Sequence, residues 1–213
     1  MKINTMLLSL LIFPSLSQSA GLEKSPYSEM RYSLFEVTKT KANVVMLGDS
    51  ITEMGLWSEF FPKVAILNRG ISGDTIHFMK GRLHQVLFAN PKAVFIMGGI
   101  NDLAHHQKED VIINDYKYIV NKMHEKKVDV YIQSTLFVSR QSRLNDNNKI
   151  SKINDSMKSY CAQSKNCHFI DLNDSLSYDN KLNTNYTLDG IHLNAQGYNL
   201  WIQKIKPYID NYE

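Results

Sequence analysis

Short apolar runs alternate with segments of helical spacing along most of the chain. Asn43 to Leu47, Val64 to Leu67, Ala93 to Met97 and Val128 to Gln133 are nearly continuous apolar stretches, and His168 to Asp171 is a weaker fifth. Unbroken apolar runs of this length suit strands buried on both faces, as in a parallel sheet. Between them the period changes. Ile76, Met79, Leu83, Val86 and Leu87 share one helical face, with Asp74 placed to cap it. Ile112, Tyr116, Ile119, Val120 and Met123 repeat that spacing. So do Ile150, Ile153, Met157 and Tyr160, and finally Tyr198, Trp201, Ile202, Ile205 and Ile209. Residues 22 to 41 read as a short amphipathic lead-in, with Tyr27, Met30, Leu34 and Val37 at helical spacing. Ser139 to Asn148 is polar and reads as a mobile loop. The alternation predicts one α/β domain over residues 20–213, a parallel sheet covered on both faces in three layers.

The start of the chain departs from this pattern. After Lys2 the next charged residue is Glu23, and Met6 to Phe13 is almost wholly apolar before Pro14 and a Ser-rich exit. This is the pattern of a signal peptide, expected to be cut near Ser19 and to send the protein to the periplasm or outside the cell. The apolar run falls short of the ~20 residues that span a bilayer, so no stable membrane span is expected after cleavage. Export changes the reading of Cys161 and Cys167. In an oxidising compartment they close a small disulfide loop between a helix end and the next strand, or else remain two buried thiols.

Composition narrows the function classes without choosing one. The chain has 213 residues, 43% hydrophobic and 21% charged, with a net charge of +3 from 24 basic and 21 acidic residues. That balance gives no concentrated basic patch, so nucleic acid is not an expected partner. Two cysteines cannot build a four-thiolate zinc site. Adjacent His105 and His106 read as an exposed turn rather than a metal site.

The chemistry is expected where strands end, because ligands gather at the carboxyl edge of such sheets. Gly48-Asp49-Ser50-Ile51-Thr52 follows the first run, Asn68 to Asp74 the second, and Gly98-Gly99-Ile100-Asn101-Asp102 the third. Asp189-Gly190-Ile191-His192 precedes the last helix. Ser50, at a strand-to-helix turn, needs a base to act as a nucleophile. His192 is the candidate base, and Asp189, three residues earlier, can accept from Nδ1 and leave Nε2 for Ser50. The Ser50 N–H, the Gly70 N–H and the Asn101 amide are the candidate oxyanion donors. Trp57 and Tyr186 are candidates for stacking on a sugar face.

Taken in order, these four segments resemble the SGNH hydrolases, also called the GDSL esterase/lipase family. Ser50 falls in the first block, written Gly-Asp-Ser-Ile, Gly70 in the second, Asn101 in the third, and Asp189 with His192 in the last. The resemblance runs from about Asn43 to Tyr208. It implies a flavodoxin-like five-stranded sheet in the order 2-1-3-4-5, no cofactor, and ester cleavage through an acyl-serine. Activity is then expected to rise with pH as His192 loses its proton. The second block is similar to that of short-acyl esterases, including carbohydrate O-acetylesterases. The expected reaction is therefore removal of an acetyl group from a glycan or another small polar alcohol. A lysophospholipase or thioesterase of longer chains, or an acyltransferase using the same serine, is the alternative.

Overall fold

The computed structural model describes residues 24–213. The proposed signal peptide lies outside them. Helix α1 (Pro26–Val37) leads into strand β1 (Val44–Gly48), the short helices α2 (Ser50–Glu53) and α3 (Trp57–Phe60), and strand β2 (Ile66–Gly70). Then come α4 (Ile76–Gly81), α5 (Leu83–Leu87), β3 (Ala93–Met97), α6 (Ile100–Ala104) and α7 (Glu109–Glu125). The chain continues through β4 (Asp129–Gln133), α8 (Asp146–Ala162), β5 (Cys167–Ile170), α9 (Asn173–Leu176) and α10 (Ala195–Ile209). A two-strand hairpin, Ser177–Tyr178 with Lys181–Leu182, follows α9.

The five long strands form one sheet in the order β2-β1-β3-β4-β5, every pair parallel. Strand periodicity divides each run between two cores. Val45, Leu47, Val94, Ile96, Val130 and Ile132 face α4, α5, α7 and α8. Val44, Met46, Phe95, Met97 and Tyr131 face the other way, toward Trp57, Trp201, Ile205 and Ile209. That is the expected three-layer sandwich. No described helix is long and apolar enough to cross a membrane.

Several boundaries differ from the sequence reading, each for a local reason. Strand β2 starts later and runs on to Gly70, paired with Gly48 at the end of β1. Asn68, Arg69 and Gly70 are therefore ladder residues, and the exit loop begins at Ile71. The helix expected over 76–87 is broken at Arg82, which is fully buried and salt-bridged to Asp74 at 2.7 Å. Its Nη2 also donates to the strand-end carbonyls of Gly48 and Arg69. Asp74 is thus held by Arg82, and the α4 cap falls to Thr75, whose hydroxyl accepts from Phe78 N. On α1 the stripe Tyr27, Met30, Leu34 and Val37 faces solvent. The helix docks through Ser28, whose hydroxyl donates to Ser72 O, and through buried Phe35. The segment 139–148 is partly ordered: a 3-10 turn at Gln141–Arg143 leads straight into α8. Cys161, in the last turn of α8, is disulfide-bonded to Cys167 at the start of β5.

Candidate active site

Three strand ends and one loop build the site. Asp49 caps α2, its Oδ1 accepting from Ile51 N at 3.0 Å, and this turns the chain sharply after β1. Ser50 becomes the first residue of α2, with its side chain directed out of the sheet edge. The Tyr198 hydroxyl of α10 donates to Ile51 O, and Trp57 Nε1 donates to Thr52 O at 2.8 Å, so the short helix is held from two sides.

The last loop delivers the base. Asp189 Oδ1 accepts from the backbone N–H groups of Ile191 and His192, at 2.9 and 2.8 Å. Thr187 ties the loop again: its hydroxyl donates to His192 O and accepts from Gly190 N. Gly190 has φ +80°, a conformation that favours glycine. With the loop so folded, His192 Nδ1 lies 2.8 Å from Asp189 Oδ2, and His192 Nε2 lies 2.9 Å from Ser50 Oγ. A carboxylate can only accept, so the ring proton sits on Nδ1. Nε2 is then left to take the serine proton. Burial works to raise the Asp189 pKa, but hydrogen bonds from the His192 ring and from the backbone of His192 and Ile191 outweigh it. The carboxyl is held well below the usual range and stays ionised. The Asp189 and His192 side chains are 37% and 33% exposed, so the pair opens directly to solvent.

The oxyanion side of the site corrects one expectation. Gly70 N–H is not free, because it donates to Asn68 Oδ1 at 2.8 Å and lies inside β2. The open glycine is Gly73, three residues on in the exit loop, exposed and at φ +81°. Its N–H has no partner among the described residues. Asn101, second residue of α6, reaches the same loop, its Nδ2 donating to Asp74 O at 2.9 Å. One amide proton remains, since an Asn amide carries two. Trp57 is a second correction. It is 1% exposed, with its ring packed edge-on to Trp201, and no sugar can stack on it. Tyr186 is half-buried and packs against the α10 side of the core. His105 and His106 are exposed at the end of α6, and no cluster of metal-ligating side chains occurs among the described residues.

Beneath the strand ends lie three buried carboxylates, of which sequence spacing singled out only Asp74, and that as a helix cap. Asp49 is pushed up to about 7 by burial, reinforced by Asp74 and Asp102 and opposed by its bond from Ile51 N. Asp102 is pushed up to about 7 by burial, against the Ile76 N–H that donates to both its oxygens. Burial also raises Asp74, against the pull of Arg82. Apolar periodicity is blind to such groups. The signal present was the Asp beside each Gly-rich exit.

A parallel α/β sandwich with a Ser–His–Asp relay at the carboxyl edge of its sheet is an architecture of serine-dependent acyl hydrolases. The chain belongs to the GDSL-like Lipase/Acylhydrolase family, whose sequence profile matches residues 46–200. It is 25% identical over 170 residues to an N-acylneuraminate cytidylyltransferase of Streptococcus agalactiae. That match covers 80% of this chain but 39% of the relative, so the chain spans about two fifths of that protein's length. It is 24% identical over 163 residues to the platelet-activating factor acetylhydrolase IB subunit alpha1 of Bos taurus, covering 73% of this chain and 69% of that one. Among solved structures it superposes on a GDSL-like lipase from Bacteroides thetaiotaomicron with a TM-score of 0.75 and 25% identity. That superposition covers 86% of this chain and 97% of the other.

Proposed function

We propose that this protein is an exported serine ester hydrolase that removes short acyl groups, acetyl foremost, from a glycan or similar polar alcohol. The observation that carries the reading is the continuous relay from Ser50 Oγ through His192 to Asp189, at 2.9 and 2.8 Å. Ser50 Oγ attacks the ester carbonyl as His192 Nε2 takes its proton. The developing oxyanion is met by the Ser50 N–H, the remaining Asn101 amide proton and the Gly73 N–H, which replaces Gly70 in this role. His192 then protonates the departing alcohol, and water repeats the sequence on the acyl-serine.

The solvent-open setting of Asp189 and His192 favours a small acyl group on a bulky alcohol over a long chain that would need an enclosed channel. A relative named as an acetylhydrolase and another named for an N-acylneuraminate support acetyl and sugar respectively. One observation favours longer acyl chains: Leu188, beside Asp189, is 93% exposed, and Met54, one helical turn after Ser50, is 53% exposed. A p-nitrophenyl ester series from acetate to palmitate separates the two readings, with kcat/KM expected to fall as the chain lengthens. Product analysis with an added sugar acceptor distinguishes hydrolysis from transfer. Export is supported by the apolar start of the chain, which carries no charged residue between Lys2 and Glu23, and by the disulfide. N-terminal sequencing of the exported fraction tests it, with a new start near residue 20 expected. Ser50→Ala is expected to lower turnover of p-nitrophenyl acetate by about 10³-fold or more. Retention of wild-type turnover would overturn the proposal.

A further inference from the structure

Asp189 is held by more than its own loop. Arg140, in the connection between β4 and α8, donates from Nη2 to Asp189 Oδ2 at 2.9 Å and from Nε to the Asp189 main-chain oxygen at 3.0 Å. One planar guanidinium thus grips the carboxylate and the backbone of the same residue. The backbones dock as well, with Ser139 N and Arg140 N both donating to Gly190 O. A Cβ on Gly190 would lie 2.5 Å from Arg140 N, so the contact is made at glycine distance. With Ile191 N and His192 N on Oδ1, and His192 Nδ1 and Arg140 Nη2 on Oδ2, every acceptor direction of the carboxylate is filled.

We propose that Arg140 is a positioning residue for the relay and that its charge sets the pH at which His192 becomes an effective base. This rests on the esterase reading above. Asp189 Oδ2 is shared between two donors, His192 and Arg140. The guanidinium draws on the same oxygen that stabilises the imidazolium and repels the imidazolium directly. Protonation of the ring is therefore less favourable than beside an unpaired carboxylate, and the active form persists to lower pH. The other groups facing this loop do not supply that charge. Ser50 faces His192 from α2 and Tyr186 precedes the loop. Arg143 is turned to Asp146 and the Ile100 carbonyl. Asp49 lies buried behind Ser50 and is common to every variant compared. The fork geometry is specific to arginine, since a lysine ammonium retains the charge without the planar pair of donors.

The test compares wild type, Arg140→Gln and Arg140→Lys in pH profiles of kcat/KM on p-nitrophenyl acetate, together with NMR titration of the His192 ring in the full chain. Arg140→Gln is expected to move both the acid limb and the ring titration midpoint up by about half to one pH unit. It should also lower kcat about tenfold with KM little changed. Arg140→Lys is expected to leave the midpoint near wild type while losing part of kcat. Thermal unfolding verifies that both variants fold. Unchanged midpoints in Arg140→Gln would overturn the proposal and leave the esterase reading intact. Absence of Ser50-dependent esterase activity in the wild type would overturn that reading, and the ring titration would still decide the role of Arg140.

Discussion

Asn68 and Asn101 show how little separates a fully committed amide from one with a donor to spare. Both side chains donate to backbone carbonyls of a strand-exit segment. Asn68 spends its Nδ2 on Thr52, Glu53 and Gly55 and its Oδ1 on Gly70 N. Asn101 makes one such bond, to Asp74 O, and keeps a proton for a ligand. Asn101→Ala is therefore expected to lower kcat on p-nitrophenyl acetate by about 10²–10³-fold with little change in KM, because the lost donor acts on the transition state. Steady-state kinetics measure this, and a loss confined to KM would count against the oxyanion role. The candidate residues Ser50, Asn101, Asp189 and His192 stood out in the sequence because each occupies a distinctive segment at a strand or helix boundary, and the structure brings Ser50, His192 and Asp189 within hydrogen-bond reach. Gly70 was misplaced because the apolar run stops at Leu67, whereas the ladder continues through polar Asn68 and Arg69 to Gly70. The polar strand residues are stabilised by contacts no linear pattern records, among them the Arg69 guanidinium over the Phe35 ring of α1.

The short helices after β1, β2 and β3 share one electrostatic device. Asp49 caps α2, and Asp102 of α6 accepts from Ile76 N at the start of α4. Both carboxyls are buried and titrate far above the range of an exposed aspartate. A carboxyl whose folded pKa is raised contributes its full stability below the unfolded value near 4. That contribution is lost as pH rises toward the folded value of about 7. Stability is therefore expected to fall between about pH 4 and pH 7. At roughly 1.4 kcal/mol per pKa unit, a rise from near 4 to about 7 corresponds to about 4 kcal/mol for each group. Asp49→Asn keeps the cap oxygen, and it places an uncharged group where Oδ2 now has no partner. Urea unfolding at pH 5 and pH 8 should show a smaller loss in Asp49→Asn than in wild type. An equal loss in both would remove Asp49 as a source. Asp189 acts in the opposite sense and in another window. Its lowered pKa gives stability present above about pH 4 and lost under more acid conditions. The long helices α7, α8 and α10 followed from apolar spacing, since burial of one face dominates their energetics. The α4–α5 break did not, because its cause is the buried Arg82–Asp74 pair, which has no period.

At the scale of the molecule, the sheet separates chemistry from reinforcement. Ser50, Asn101 and the Asp189 loop gather at the carboxyl ends of the strands, whereas Cys167 opens β5 at the opposite end. The alternation of strands and helices made the three layers legible. The strand order could not come from periodicity, which carries no information on neighbours, and rested on the family resemblance. The disulfide is where the two ends of the sheet can be tested independently. Cys161 and Cys167 are six residues apart, a short loop, and closing it restricts the unfolded chain by about 2 kcal/mol in the chain-entropy account. It joins the end of α8 to the start of β5, so its loss should loosen that edge and leave the relay in place. Replacing both cysteines by serine is therefore expected to lower the unfolding free energy by about 2 kcal/mol, read from urea titration, with kcat/KM on p-nitrophenyl acetate unchanged at 25 °C. A parallel loss of activity in the folded variant would show that the two ends of the sheet are coupled, and would contradict the separation of roles.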